Sequence, residues 1–294
     1  MSPSPSLPPD ELSSGALSAR AADCARDLRR TAACYPELFD TGEFADTPGQ
    51  IADMMVYGTP RHDPRVLRSP SQLALWIFPL DAAIDRDATQ RSQVRAIVEE
   101  CKDVIAGDDP RTPLGRLLAH IRDDLAHAPA FAHLGPVWRT ELAAMLDAMA
   151  REWDWKTAAR QAAAVPTVKE YLGNAANFGS TCVGVARLIS TDEPEATREH
   201  LPAIIDAANA TQRVMRLVND LRTFKRDRQW EDLNARMLGL DEHALRELIA
   251  EEREACDPML DRLARFCPGV AEDLRRQMMI TWGFYFNGGD FWTV

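Results

Sequence analysis

Oxygen-bearing side chains recur at four-residue spacing in the last third of the chain. Asn219, Thr223 and Asp227 lie in one polar run, and on a helix this spacing places all three on the same face. Amide, hydroxyl and carboxylate oxygens are hard ligands that suit Mg²⁺, which also takes waters and phosphate oxygens. The spacing therefore predicts a metal site, with a charged, solvated helix face as the alternative.

Cationic side chains surround this row of oxygens. Arg226 adjoins Asp227, and Arg222 and Lys225 lie close by. Cations beside metal ligands are useful when the metal carries a polyanion, because guanidinium groups bind phosphate oxygens in pairs. The run therefore favours a diphosphate as the ligand.

A second acidic pair follows a strongly apolar stretch. Residues 73–80 are almost wholly apolar, and Asp81 and Asp85 come at its end, one helical turn apart. Carboxylates that follow a buried run are expected at the edge of a cavity, where burial of charge requires a partner or a metal. Pro79 predicts that the helix kinks or restarts just before Asp81. The alternative is that Asp81 and Asp85 face water at the solvated end of a core helix, and the neighbouring Arg86 and Asp87 favour this alternative.

These two segments resemble the metal motifs of class I terpene synthases, which face each other across a pocket in a helical bundle. Other parts of the chain resemble the same family over roughly residues 65–294. They are the EWDW run at 152–155, the PTVKEYL run at 166–172, the RLV run at 216–218 and the DLNA run at 232–235. The form of residues 171–174 (YLGN) is most similar to bacterial diterpene cyclases.

The resemblance implies which residues bind the metal and the substrate. It implies Mg²⁺ ions, three in number, with Mn²⁺ as an alternative, bound together with a prenyl diphosphate. The expected metal ligands, which would also be the catalytic set, are Asp81, Asp85, Asn219, Thr223 and Asp227. The expected substrate contacts are Arg226, Arg216, Tyr285, Asn174, Gly179, Trp76, Phe78, Phe178 and Trp282. Among these, aromatic faces can stabilise a carbocation, although a lone aromatic on a helix is more often a core residue.

The chain also departs from the family pattern. Ala82 stands where the family has a second aspartate, and Ala175 stands where many members have an arginine that senses diphosphate. The C-terminal Arg-Tyr pair is reduced to Tyr285. The usual helix break would fall on Gly179, and both Gly179 and Gly184 fit a loosened helix, because glycine destabilises a helix interior.

Composition and periodicity predict an all-α protein. The chain has 294 residues, of which 46% are hydrophobic, so it can bury a sizeable core. Apolar residues recur at three- and four-residue spacing in five stretches. They are 10–32, 90–106, 137–163, 199–227 and 242–266. We expect an antiparallel helical bundle around a central active-site cavity, the class I terpenoid synthase fold. Residues 1–9 are expected to be a flexible lead, and 10–294 a single domain.

Charge and cysteine usage exclude several classes of partner. The net charge of −11 argues against nucleic acid or an anionic membrane as the main partner. No apolar run reaches the ~20 residues that span a bilayer, and no secretory signal is evident. The six cysteines show no metal-binding spacing. We therefore expect a cytoplasmic protein.

The sequence predicts a lyase of the class I terpene synthase type acting on a C20 prenyl diphosphate. The substrate is expected to be geranylgeranyl diphosphate or a copalyl-type (labdadienyl) diphosphate, and the product a diterpene hydrocarbon or alcohol. No DxDD motif is present, so a class II cyclase would have to supply a pre-cyclised substrate. The alternatives are a sesquiterpene cyclase acting on farnesyl diphosphate, a chain-elongating prenyltransferase and a non-catalytic binding protein. The resemblance leaves a homodimer open.

Overall fold

The computed structural model of this chain describes residues 14–40, 42–160, 165–191 and 195–292. Every regular element in these ranges is helical, which confirms the predicted all-α class. The predicted lead, residues 1–9, lies outside the described residues. The α-helices are α1 (Ser14–Cys34), α2 (Pro36–Phe39), α3 (Thr47–Gly58), α4 (Arg68–Ala82), α5 (Arg91–Ala106), α6 (Pro113–Ala126), α7 (Phe131–Arg160), α8 (Val168–Gly173), α9 (Ser180–Thr191), α10 (Glu195–Glu199), α11 (Leu201–Trp230), α12 (Glu242–Leu263) and α13 (Pro268–Phe286). A π-helix covers Ala83–Asp87, and 3₁₀-helices cover Ala175–Phe178 and Ala235–Leu238.

Local signals account for where several helices begin. Thr112 accepts a hydrogen bond from the Gly115 N–H at 3.1 Å at the start of α6, and Asp241 accepts from the Ala244 N–H at 2.8 Å at the start of α12. Such caps satisfy backbone donors that the first turn of a helix leaves free. Gly107, with a φ of 124°, follows α5. The chain therefore leaves α5 at a residue whose left-handed conformation glycine adopts readily.

The longest helices pack side by side around one apolar core. α11 packs against α12 and α13, α4 and α7 both pack against α9, and α3 packs against α1 and α13. A continuous set of buried apolar side chains joins these helices. Six of them, α3, α4, α7, α9, α11 and α13, contribute residues to the wall of a central cavity.

The end of α4 differs from the sequence prediction. The helix passes through Pro79 without restarting, and it widens into the π-helix only after Ala82. The expected restart just before Asp81 is therefore wrong. A π-helical turn is rare and occurs often at functional sites. Here it carries Asp85, which lines the cavity.

The helix break predicted at Gly179 is present. Residues Ala175–Phe178 form a 3₁₀-helix, Gly179 has a φ of 77°, and α9 begins at the next residue. Gly184 lies inside the regular turns of α9, so the expectation that it loosens the helix is wrong. No helix in the described part of the chain is long and apolar enough to cross a membrane.

Candidate active site

The central cavity has a volume of about 280 Å³, and one of its ends is acidic. Asp81 and Asp85 lie on one wall, where α4 passes into the π-helix. Asn219 and Asp227 lie on another wall, one above the other on α11. The structure therefore brings both predicted motifs to the same cavity.

A buried lysine lies beside the first acidic pair. The Lys156 side chain on α7 is only 2% exposed. Its Nζ donates to the Asp85 carbonyl oxygen at 2.9 Å, lies 3.8 Å from Asp85 Oδ1, and forms an ion pair with Asp232. Asp85 Oδ1 itself is buried and has no hydrogen-bond partner. A buried carboxylate oxygen without a hydrogen bond is a position that a cation could fill.

At the acidic end of the cavity, the pKa values of Asp81 and Asp85 are raised, so these carboxyl groups ionise less readily than usual. Burial, with the nearby charges of Asp232 and Glu152, raises the pKa of Asp81 to about 7. Burial and the Asp81 charge raise the pKa of Asp85 well above its usual value. Both effects disfavour the charged form of a carboxylate. A divalent cation would reverse them, because it stabilises the ionised form.

The second motif is tied together by its own hydrogen bonds. Thr223 Oγ1 donates to Asp227 Oδ2 at 2.6 Å and is buried, but Thr223 is not at the cavity wall. Asn234 Nδ2 donates to the same Asp227 oxygen at 2.9 Å. Asn219 Nδ2 donates to the hydroxyl oxygen of Tyr285 at 2.7 Å. The row is therefore helical and continuous, with Asn219 and Asp227 facing the cavity and Thr223 supporting Asp227.

Arg226 lies between two carboxylates at the cavity wall. Its Nε and Nη2 donate to Asp227 Oδ1 at 3.2 and 3.0 Å. Its Nη1 forms an ion pair with Asp290, from the segment that follows α13. A guanidinium has five donors, so this one retains N–H groups for a further anion.

Arg216 is part of a buried network that holds the helix break. Its Nη2 donates to Glu152 Oε2 at 2.7 Å, and its Nη1 donates to the Asn174 carbonyl oxygen at 3.0 Å and to the side chain of Asn177. Its guanidinium lies 3.8 Å from the ring centroid of Tyr171. Burial works to lower the pKa of Arg216, but Glu152 and its other neighbours raise it above the usual value. Arg216 therefore stays charged and fixes the chain before Gly179.

Asp220 also lines the cavity, next to Asn219 on α11. It accepts a hydrogen bond from the Tyr171 hydroxyl at 2.8 Å and another from the Ala235 N–H at 3.2 Å. Burial raises its pKa to about 7. These contacts join α8, α11 and the segment after α11, so Asp220 supports the wall.

Three predicted substrate contacts are not at the cavity wall. Trp76 is fully buried and donates from Nε1 to the Leu114 carbonyl oxygen at 3.0 Å, so it is a core residue. Trp282 packs partly buried against the core. The Asn174 side chain bonds to Arg151 and to the Ala148 carbonyl oxygen instead. The other predicted contacts line the cavity: Arg226, Arg216, Tyr285, Gly179, Phe78 and Phe178.

Sequence reasoning missed several residues that lie at this wall or directly against it. Lys156 and Asp290 carry no role in the motif pattern, and Phe291 and Trp292 line the cavity from the end of the chain. An available signal was the lysine that directly follows the aromatic EWDW run. A second signal was the aromatic pair that follows two glycines and Asp290.

The donor set suits a metal that arrives with phosphate oxygens. Within the described ranges, no three carboxylate, thiolate or imidazole groups converge closely enough to hold an ion by themselves. Mg²⁺ typically takes only one or two carboxylates and completes its shell with water and substrate phosphates. Asp85 Oδ1, which has no hydrogen-bond partner, and the opposing Asn219 and Asp227 oxygens fit that pattern.

A helical bundle with these two motifs across one cavity defines the class I terpene synthase fold. The family model "Terpene synthase family 2, C-terminal metal binding" matches residues 72–266. The chain therefore belongs to this terpene synthase family, whose members are lyases that act on prenyl diphosphates. The family carries a metal-binding domain.

Similar proteins come from Streptomyces. Ent-pimara-9(11),15-diene synthase of Streptomyces sp. strain KO-3988 is 25% identical over 280 residues, covering 90% of this chain and 89% of that protein. The structure of 2-methylisoborneol synthase from Streptomyces coelicolor A3(2), with Mg²⁺ and geranyl-S-thiolodiphosphate, has a TM-score of 0.71 at 17% identity and 92% coverage of both chains. Linalool/nerolidol synthase from Streptomyces clavuligerus, with 2-fluorogeranyl diphosphate, has a TM-score of 0.69 at 15% identity, covering 90% of this chain and 94% of that one.

The raised carboxylate pKa values predict a pH-dependent stability. The folded pKa values of Asp81 and Asp220 are about 7, whereas an unfolded aspartate has a pKa of about 4. Between these values the folded protein holds protons that the unfolded chain has released. The free energy of unfolding of the metal-free protein should therefore fall as the pH rises from about 4 to about 7.

Urea denaturation with a chelator at several pH values across this window measures the effect. Asp81→Asn should flatten the slope, because it removes one of the titrating groups, and a remainder should persist from Asp85 and Asp220. Added Mg²⁺ should raise stability most at the upper end of the window, where the carboxylates are ionised. A free energy of unfolding that rises with pH in chelator would contradict the assignment.

Gly179 and Gly184 make a matched pair for testing the helix break. A Cβ at Gly179 would lie 2.6 Å from Ile77 Cδ1 and 2.9 Å from Met145 Sδ, and the φ is positive. Gly179→Ala should destabilise the protein by roughly 2 kcal/mol or more, from the left-handed conformation and the clash together. A Cβ at Gly184 would meet nothing within 4 Å, so Gly184→Ala should stabilise it by about 0.5–1 kcal/mol. Thermal melting of both variants checks the opposite signs, and equal shifts would contradict the break.

Proposed function

We propose that this protein is a Mg²⁺-dependent class I diterpene synthase. It ionises a C20 prenyl diphosphate, releases diphosphate and forms a diterpene hydrocarbon or alcohol. The observation that carries the proposal is a cavity with acidic metal motifs at one end and apolar residues over the rest of its wall. Such a cavity suits a substrate with a polyanionic head and a long hydrocarbon tail.

The metal would be held between two walls. Asp81 and Asp85 would supply carboxylate oxygens on one side, and Asn219 and Asp227, supported by Thr223, would supply oxygens on the other. Mg²⁺ bound there supplies Lewis-acid charge neutralisation to the diphosphate leaving group and a template for its position. We propose three Mg²⁺ ions, with Mn²⁺ as a substitute, in accordance with the family motifs.

The protein's own cations divide into two roles. Arg226 lies at the cavity wall and retains donors, so we assign it to the diphosphate oxygens. Arg216 is occupied by Glu152 and by the backbone of the helix break. Its role is therefore to hold the break rather than to bind diphosphate. Tyr285, which accepts from Asn219, orients that amide toward the cavity.

Apolar and aromatic side chains would enclose the carbocation. Phe78 and Phe178 line the cavity beside Ile77 and Val183. Aromatic faces attract a cation through the ring quadrupole, and a wall of this kind keeps water from quenching it.

The similarity to a diterpene synthase, ent-pimara-9(11),15-diene synthase, over 90% of the chain favours a C20 substrate. The structural neighbours crystallised with geranyl diphosphate analogues favour a shorter one. Farnesyl diphosphate is therefore the second candidate. Because the chain lacks a DxDD motif, a copalyl-type substrate would come from a separate class II cyclase. The homodimer and the cytoplasmic location stay predictions.

Substrate choice is tested by incubating the protein with Mg²⁺ and, separately, farnesyl, geranylgeranyl and copalyl-type diphosphates. We expect one C20 diphosphate to give a hydrocarbon or alcohol by gas chromatography and mass spectrometry, and a chelator to abolish it. Turnover of farnesyl diphosphate alone would replace the C20 assignment with the sesquiterpene one. Release of diphosphate from none of the three would overturn the proposed function.

The metal assignment predicts the loss of turnover in two single variants. Asp85→Ala and Asn219→Ala should each lower turnover by about a hundredfold or more, because disturbing a metal's surroundings already reduces activity by up to about that factor. Asp87→Ala is a matched control, since Asp87 is exposed in the same π-helix and does not line the cavity. Circular dichroism should show unchanged helicity in all three. Full activity in both site variants would refute the metal site.

A further inference from the structure

The last described residues of the chain cross the cavity beside the second metal motif. After α13, residues 287–292 turn back, and Asp290, Phe291 and Trp292 all line the cavity. Two glycines permit this turn. Gly288 has a φ of 91°, and a Cβ at Gly289 would lie 2.6 Å from the Phe284 ring. We name residues 288–292 the C-terminal roof.

Side chains from two helices hold the backbone of the roof. Gln50 Nε2 on α3 donates to the Asp290 carbonyl oxygen at 2.7 Å, and Thr47 Oγ1 donates to the Phe291 carbonyl oxygen at 3.2 Å. Arg222 Nη2 on α11 donates to the Gly288 carbonyl oxygen at 2.9 Å. The roof is therefore attached to both sides of the cavity.

The two aromatic side chains of the roof pack onto the aromatic wall. Phe291 lies 5.3 Å and Trp292 lies 5.7 Å from Phe78, ring centroid to ring centroid. Trp292 also lies 5.6 Å from Trp230, and the Arg86 guanidinium lies 4.7 Å from its ring. Separations of 4.5–7 Å are typical of attractive aromatic pairs. The rings thus form a continuous apolar surface next to Phe78.

One carboxylate connects the roof to the metal motif. Asp290 forms an ion pair with Arg226, and its Oδ1 also accepts from the Trp292 N–H at 3.2 Å. Arg226 in turn binds Asp227. The pair is largely shielded, with side-chain exposures of 14% for Arg226 and 22% for Asp290. A shielded ion pair with fixed geometry orients its partners more firmly than an exposed one does.

We propose that Asp290 is a positioning residue that holds Phe291 and Trp292 over the cavity, and that this roof determines whether water reaches the carbocation. The inference rests on the proposed function. A carbocation becomes neutral when it loses a proton from a neighbouring carbon, whose bonding electrons form an alkene. It also becomes neutral when a water oxygen adds and then releases a proton, which gives an alcohol. Either proton can pass to the released diphosphate. The roof favours the first course by excluding water.

Asp290→Asn isolates the ion pair. An asparagine oxygen can still accept from the Trp292 N–H, but it loses the charge that pairs with Arg226. Trp292→Leu removes the ring and keeps an apolar side chain. Asp290→Glu keeps the charge and should partly restore the wild-type behaviour. Asp261→Asn is the matched control, because Asp261 on α12 pairs with Arg275 at 2.6 Å, is 74% exposed and does not line the cavity.

The experiment measures the share of product that carries oxygen from ¹⁸O-labelled water. Asp290→Asn and Trp292→Leu should each raise that share by at least about threefold. Total diphosphate release should change much less in Trp292→Leu, because water exclusion rather than ionisation is affected. Because Asp290→Asn also releases Arg226 from its ion pair, its labelled share is compared per diphosphate released. Asp261→Asn should match the wild type. An unchanged share in both roof variants would overturn the proposal, as would a wild-type product that is already wholly alcohol.

A second measurement needs no substrate. The emission of Trp292 is obtained as the difference between a protein and its Trp292→Phe variant. Acrylamide should quench this emission more strongly in Asp290→Asn than in the wild type, because the ring is no longer held. If the wild type releases no diphosphate from any substrate, the proposed function fails, while this comparison still decides whether Asp290 holds the roof. Equal quenching would overturn that placement.

Discussion

The burial of several carboxylates in one cavity is the constraint on which the rest of the structure depends. Asp81, Asp85, Glu152, Asp227 and Asp232 all line it. Buried charges are very unfavourable unless they are paired or bind a metal. The fold must therefore bring cations to this place from distant parts of the chain, and it must leave room for more.

Three cations meet this need, and each also fixes a piece of structure. Lys156 joins α7 to the π-helix and to Asp232. Arg216 joins α11 to Glu152 and to the backbone of the helix break, and Arg226 joins the second motif to the chain end. Removing one partner of such a pair leaves an uncompensated buried charge. The ion pairs that neutralise the buried carboxylates thus also hold the cavity wall in place.

How much of the fold and of the site could be predicted depends on how far apart in the sequence the interacting residues lie. The helical class and the two oxygen rows follow from local spacing, so Asp85 and Asn219 are where the sequence predicts cavity-facing groups. The wrong assignment of Trp76 has a simple origin, because periodicity shows that a residue is buried but not whether it faces a core or a cavity. Lys156 and Asp290 find their partners across 71 and 64 residues of chain. No local pattern carries that information.

The alanine at the family's second aspartate position is consistent with this balance of charge. Ala82 is 7% exposed, lies at the end of α4 and does not line the cavity. A carboxylate there would be buried beside Asp81, whose pKa the existing carboxylates already raise to about 7. Lys156 already pairs with both Asp85 and Asp232, so an added carboxylate would share the same cations with the existing ones. The acidic end thus contains Asp81 and Asp85 together with the buried Lys156. The lysine offsets part of their negative charge before any metal binds. Alanine at position 82 therefore avoids a further buried carboxylate next to Asp81.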